Sequence, residues 1–419
     1  MPPGPMNLPG QIHSGEKVRS ADSPRAMATI KETQVYTDSS DEAADVDRLG
    51  SLEVPGVDEQ MAMALAGREE DGDEGKPVEQ ASGSACKSLW VSCTKQISGH
   101  KGEDRWRTSH YGAESLGMQT GYFGVFDGHG GHAAADHAAG ELQDYVWAGF
   151  KRYCTQRNAA IGSTGLEVAA FVPLEAFADA FLCMDGLVKA ACHSGTTASV
   201  VVLRHLKGSS SDPHGETALS MAWAGDSRIV VVDGQTGKVR RVSKDHSTYN
   251  LVEVRRVKEE EEEGLRSQQD EWGSKEKSVV GRLLDAKGEE MGPLRVFSPD
   301  TGTSTVVTRS IGDRTASSAV VAEPSYLSEV LLGDESATVV ICSDGVWDSL
   351  SNDEVAGIVN SHATASEIAG AIVKKARLTR ANRGLRMDDI TATVVLVHPE
   401  NPRFRDPGSL GVCASCSIV

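Results

Sequence analysis

No run of about 18 apolar residues occurs in this 419-residue chain, and its start lacks a signal-peptide core, so neither a spanning helix nor a secretory leader is expected. Basic residues are in deficit. Forty-two Lys and Arg stand against 60 Asp and Glu, a formal charge of −18. Non-specific nucleic-acid binding needs the opposite balance, so no nucleic-acid partner is expected and divalent cations or basic groups are the natural counterparts. Cysteine pairs are also missing. Of eight cysteines only Cys413 and Cys416 form a CxxC, and no second half completes a zinc set. The other cysteines keep mostly apolar company and read as reduced thiols. No internal repeat is present. These absences together predict a soluble intracellular chain, cytoplasmic, nuclear or both.

Aromatic residues are almost missing from residues 1–87, where Pro, Gly, Ser, Asp and Glu dominate, as in SDEAADVD and GREEDGDEGK. Such a segment buries too little apolar area to offset its ordering entropy, and a disordered acidic arm is expected. A catalytic domain is expected over 88–398 and a flexible tail over 399–419. Within the domain, LWVSCTKQI, the run into Asp127, SGTTASVVVLRHL, TALSMAWAGDSRIVVVD, TSTVVTRSIGD, ATVVICSDG and ITATVVLVHP read as strands. Helical spacing covers His132–Tyr153, Leu174–Ala191, Thr248 to about Glu263, Asn352–Val359 and Ala365–Arg380. An exposed acidic insertion is expected at about 259–277. Strands outnumber helices and hairpins are common, which predicts an α+β fold with an antiparallel β-sandwich covered by helices on its outer faces.

The stretch GYFGVFDGHGG (121–131) carries the chemistry. An apolar strand runs into Asp127, then Gly128, His129 and two more glycines. Such a strand presents its carboxylate at a sheet edge, and the glycine turn lets the backbone approach a small ion. Asp344 in SDGVWD and Asp388 in MDDIT repeat the layout, and Glu103-Asp104 lies in a glycine turn just before the first stretch. Clustered carboxylates repel one another and require cations. Oxygen-only ligands favour Mg²⁺ or Mn²⁺ over zinc. Two such ions lower the pKa of a shared water and stabilise a phosphoryl transition state. His129, next to Asp127, suits a general acid for the departing alkoxide.

These stretches, with SGTTASVVV (194–202), AWAGDSRIVVV (222–232), KDHSTYNLVEVRRV (244–257), TRSIGD (308–313), ICSDGVWDSLSNDEV (341–355) and DDITATVVLV (388–397), resemble the protein phosphatase 2C family of metal-dependent serine/threonine phosphatases. The resemblance implies a four-layer α-β-β-α sandwich, two Mn²⁺ or Mg²⁺ ions, and hydrolysis of phosphoserine and phosphothreonine proteins without a phosphoenzyme. It implies that Asp127 bridges both metals and that Gly128 offers a backbone carbonyl to one. Asp344 and Asp388 are similar to the other carboxylates of the first metal, Glu103 to a ligand of the second, and His129 to the general acid. Asp104 stands close behind Glu103. Asp389 stands where many members have asparagine, behind the ligands rather than on the metal. Asp226, in the Gly-Asp-Ser-Arg turn, reads as structural. The alternative is a pseudophosphatase or phosphoprotein-binding signalling scaffold without turnover.

The chain departs from the family at several places. Many members carry a phosphate-gripping arginine four residues before the glutamate; here that position is Gly99. The local GHKGED resembles a plant-like branch with Lys-Gly-Glu-Asp, and Lys101 is the substitute, a point charge rather than a fork. Cys192 stands just ahead of Ser-Gly-Thr-Thr, where an aspartate would support a third ion. Thr308 replaces a serine in the TRSIGD motif. The terminal Cys-Ser-Ile-Val (416–419) is an imperfect prenylation box. Membrane association is expected only through lipid on Cys416, and the chain is otherwise expected to be a monomer.

Overall fold

The computed structural model describes residues 89–99, 101–113, 118–161, 171–206, 216–267, 279–332 and 335–398. The acidic arm at 1–87, the tail at 399–419 with Cys416, and residues 268–278 of the expected insertion lie outside these described residues.

The first strands are β1 (Trp90–Ile97), β2 (Arg105–Ala113), β3 (Met118–Phe126) and the two-residue β4 (Gly128–His129). Helices α1 (Ala133–Ile161) and α2 (Leu174–Ala191) follow. Next come β5 (Gly195–Thr196), β6 (Ala198–Leu206), β7 (Glu216–Ala224), β8 (Arg228–Asp233), β9 (Val239–Val242) and α3 (Leu251–Ser267). A hairpin of β10 (Val280–Leu284) and β11 (Glu290–Phe297) precedes β12 (Ser304–Thr305) and β13 (Ile311–Gly312). The last part holds β14 (Ser325–Leu332), β15 (Ala337–Cys342), α4 (Asp344–Trp347), α5 (Asn352–Ser361), α6 (Ala365–Asn382) and β16 (Ile390–Val397).

Two five-stranded antiparallel sheets form the centre, one in the order β1-β16-β15-β8-β9 and the other β14-β7-β6-β3-β2. Alternation within single strands explains the layering. On β6, Val201 and Leu203 pack between the sheets, while Ala198, Val200 and Val202 face α1 and α2. On β15, Val339 and Ile341 face the other sheet, and Val340 and Cys342 face α5 and α6. Both faces of these strands are covered, so they read as unbroken apolar runs. This is the expected four-layer α-β-β-α sandwich. Phe123 lies fully buried between the sheets, and its truncation to alanine would cost about 3–5 kcal/mol.

The helices follow from spacing and caps. Ala176, Phe177, Ala180, Phe181, Met184 and Val188 give α2 one buried stripe. Ser351 with Glu354 and Thr364 with Glu367 form capping boxes that start α5 and α6. No helix among the described residues is long and apolar enough to cross a membrane.

Some expectations need correction. Helix α3 runs through the acidic block Glu259–Glu263 and ends at Ser267, a turn beyond the expected Glu263. TSTVVTRSIGD is not one strand. It contributes β12, β13 and two isolated bridges, Ser247 to Val307 and Arg309 to Val321, because its polar side chains are spent on other partners. Strands β2 and β14 and the β10–β11 hairpin went unread, since their sequences mix charges, Gly and Ser into the alternation.

Candidate active site

The strand registers bring the acidic residues to one end of both sheets. Phe126, just before Asp127, pairs with Arg105, just after Glu103-Asp104. Cys342, two residues before Asp344, pairs with Ala392 of β16, whose start follows Asp388-Asp389, and also with Arg228, two residues after Asp226. Ala198 pairs with Ala224 at the same end of β6 and β7. Five segments far apart in sequence therefore open on one rim.

The Ser-Gly-Thr-Thr motif fixes Asp127 by its backbone. The Thr197 amide donates to the Asp127 carbonyl at 2.9 Å, and the Thr197 hydroxyl accepts from the Asp127 amide at 3.1 Å. Asp127 is pushed well above the usual carboxylate range, first by burial, then by the charges of Asp104 and Asp344. It shares a hydrogen bond with Asp344, itself raised to about 6 by burial and by Asp348 and Asp388. Asp226 joins this group. Burial and then Asp344 raise its pKa well above the ordinary value, so it is an electrostatic neighbour of the site and not only a turn residue.

Asp104 is almost fully buried and accepts the hydroxyls of Thr391 at 2.6 Å and Ser343 at 2.8 Å on one oxygen. Burial carries its pKa to about 7 against those two hydrogen bonds. Asp389 does not face the other acids alone. Its carboxylate accepts the backbone amides of Gly99, Gly102, Glu103 and Asp104, so it pins the whole loop that carries Lys101 and Glu103. Glu103 in turn accepts the Gly131 amide at 2.7 Å, which ties that loop to the glycine turn after His129.

Lys101 enters this acidic group. Its Nζ lies 3.6 Å from Asp388 and 3.8 Å from Glu103. Burial alone would lower its pKa, but Asp388, Glu103, Asp127 and Asp344 together raise it. Arg380, 4 % exposed, approaches Asp388 at 3.9 Å from the protein side. Gly99 cannot be a stand-in for arginine. A Cβ there would come within 2.6 Å of the Asp388 carbonyl carbon and 2.7 Å of its oxygen, so only glycine fits against that backbone.

His129 Nε2 meets Asp313 Oδ2 at 2.7 Å. Burial would lower the histidine's pKa, but the Asp313 charge and hydrogen bond overcome it and the net direction is upward. Asp313 is held below its ordinary value, with burial opposing and His129 prevailing. Asp313 was legible only as part of TRSIGD, with no role attached. Asp348, four residues after Asp344 and ion-paired with Arg380 at 3.3 Å, was not singled out.

The donor set is all oxygen. Glu103 Oε2 and Asp104 Oδ1 are buried without a hydrogen-bond partner. Among the described residues no three acidic, His or Cys side chains converge on one point as around a bound ion. Lys101 and Arg380 stand beside Asp388 from opposite sides. Orphaned carboxylate oxygens and mutually raised pKa values fit a hard divalent cation.

A double antiparallel sheet between helix pairs, with this acidic rim, defines the class to which comparison assigns the chain. The family model for Protein phosphatase 2C matches residues 99–383. The chain belongs to the protein phosphatase 2C family. It is 30% identical over 285 residues to "Probable protein phosphatase 2C 3" of Oryza sativa subsp. japonica, covering 68% of this chain and 49% of that one. It is 31% identical over 277 residues to "Probable protein phosphatase 2C 5" of Arabidopsis thaliana, covering 66% and 54%. The chain thus spans about half the length of these curated relatives. Its fold is similar to that of a phosphatase from a pathogenic strain of Toxoplasma gondii, with a TM-score of 0.50 and 15% identity over 74% of this chain and 94% of that one.

Proposed function

We propose that this chain is a metal-dependent protein serine/threonine phosphatase that acts on phosphoserine and phosphothreonine proteins. The observation that carries the reading is the meeting of Asp127, Glu103, Asp344 and Asp388 on one rim, with His129 beside Asp127 in the glycine turn. Asp127, Glu103, Asp344, Asp388 and the Gly128 carbonyl would hold two Mn²⁺ or Mg²⁺ ions. Those ions, when bound, supply an activated water and neutralise phosphoryl charge.

The chain's own residues have separate tasks. Asp389 holds the loop of Lys101 and Glu103 in place. Lys101 stands among the carboxylates and offers its ammonium to the substrate phosphate. His129 donates a proton to the seryl or threonyl oxygen as the P–O bond breaks, which removes the need to expel an alkoxide. Phosphate release from a phosphothreonine peptide, with and without Mn²⁺, tests the reading against Asp127→Asn. A folded wild-type chain without metal-dependent turnover would overturn it.

A further inference from the structure

The pairing of His129 with Asp313 reaches further than a buried contact. The two residues are 184 positions apart in sequence, yet the ring nitrogen and the carboxylate oxygen stand 2.7 Å apart. Three features of the surroundings support this contact. Asp313 has φ +54°, a left-handed backbone uncommon outside glycine, and so its side chain is aimed at some conformational cost. The Ser310 hydroxyl donates to the same carboxylate oxygen that meets His129, while the Asp313 amide donates to the Ser194 carbonyl at 3.2 Å. Gly195 supplies the space. A Cβ there would lie 2.3 Å from Asp313 Cγ and 2.4 Å from His129 Nε2.

We infer that Asp313 is the positioning residue of the proton donor: it fixes the His129 ring through Nε2–H and leaves Nδ1 as the atom that serves the leaving oxygen. This rests on the phosphatase reading above. In the cationic ring both nitrogens carry protons. Nε2–H stays bound to Asp313, and Nδ1–H passes to the seryl or threonyl oxygen as its bond to phosphorus breaks. The ring ends neutral, with its remaining proton on Nε2 and its electron pair on Nδ1. Asp313 stays a carboxylate throughout. It keeps the ring from rotating, as an orienting acid does for other catalytic histidines.

The test compares leaving groups in the full chain with Mn²⁺. A peptide alkoxide needs a proton to leave; p-nitrophenolate does not. Asp313→Gly removes the carboxylate while glycine accepts the left-handed backbone, and Asp313→Asn keeps an acceptor without charge. For Asp313→Gly, kcat on a phosphothreonine peptide is expected to fall on the order of 10²-fold with KM nearly unchanged, and p-nitrophenyl phosphate turnover less than about 5-fold. Asp313→Asn is expected to fall between. In the wild type, ¹⁵N–¹H NMR of the imidazole is expected to show a slowly exchanging Nε2 proton, lost in Asp313→Gly. Equal losses on both substrates, unchanged peptide turnover, or a wild-type ring without that proton would each overturn the inference; the last needs no variant to fold. A wild-type chain that hydrolyses neither substrate would instead sink the phosphatase reading.

Discussion

The Glu253 carboxylate receives the Arg309 guanidinium on both its oxygens, Nε at 3.0 Å and Nη2 at 2.8 Å. Thr308 adds its hydroxyl at 3.0 Å, which gives the residue that replaces serine in TRSIGD a defined use. The pair clamps α3 to the segment that ends at Asp313.

Burial would raise the Glu253 pKa, but the Arg309 hydrogen bond and charge, with Arg256, hold it at about 2. The folded pKa is depressed, so its stabilisation is present above its ordinary 4.5 and is lost as pH falls toward about 2. Glu253→Gln is expected to cost roughly 3 kcal/mol near neutral pH, because it strands a partly buried guanidinium. Urea unfolding at neutral and acid pH measures this. A cost that does not shrink in acid would contradict the assignment.

The rim carboxylates have the opposite sign. Asp104 is raised from 3.8 to about 7 and Asp344 from 3.8 to about 6, first by burial. The folded chain keeps protons that the unfolded chain has released, so the metal-free protein is expected to lose stability as pH rises from about 4 to about 7. Divalent cations are expected to replace those protons. At one fixed Mn²⁺ concentration, about a hundred times the dissociation constant at about pH 7.5, the gain is expected to be about 2.7 kcal/mol at that pH and smaller, with a smaller Tm shift, at about pH 5. Melting curves with and without Mn²⁺ decide it; an equal gain at both pH values would count against a carboxylate site.

Asp389 binds no substrate in this account, yet four backbone amides depend on it. Asp389→Ala is expected to loosen the loop of Glu103 and to weaken Mn²⁺ binding about 10-fold or more, with Asp389→Asn intermediate. Isothermal titration with Mn²⁺ measures it directly, and an unchanged dissociation constant would mean that the loop holds itself.

Gly195→Ala would set a methyl group against Asp313 and His129. Its expected signature is a loss of phosphopeptide kcat of about 10-fold or more, with little change in p-nitrophenyl phosphate turnover. Wild-type rates on both substrates would show that the pair can shift aside.

The sandwich was legible because its central strands are apolar on both faces, as Ala198–Leu203 and Val339–Cys342 show. Asp127, Glu103, Asp344 and Asp388 were legible because each ends or flanks such a strand or sits in a glycine turn. What stayed hidden depends on partners distant in sequence. Asp313 gains its meaning from His129, and Asp389 from amides nearly 300 residues earlier. Lys101 was read as a phosphate group's partner, and its neighbours Glu103 and Asp388 in the structure are ones that no local pattern connects. Gly99 stood out only as a position without the family's arginine, and the Asp388 backbone pressed against it leaves no room for a side chain.

Strand β16 lies between β1 and β15, and the segment just before it brings Asp388 and Asp389. Thr391, on the strand itself, anchors Asp104. The contacts that complete the rim therefore join residues about 290 positions apart. Among the described residues, β16 is the last element in the chain, and it closes the sheet and fastens the loop of Glu103. A chain still short of β16 carries most of the acidic residues but no assembled centre. Assembly of the rim thus waits on the last of the described strands.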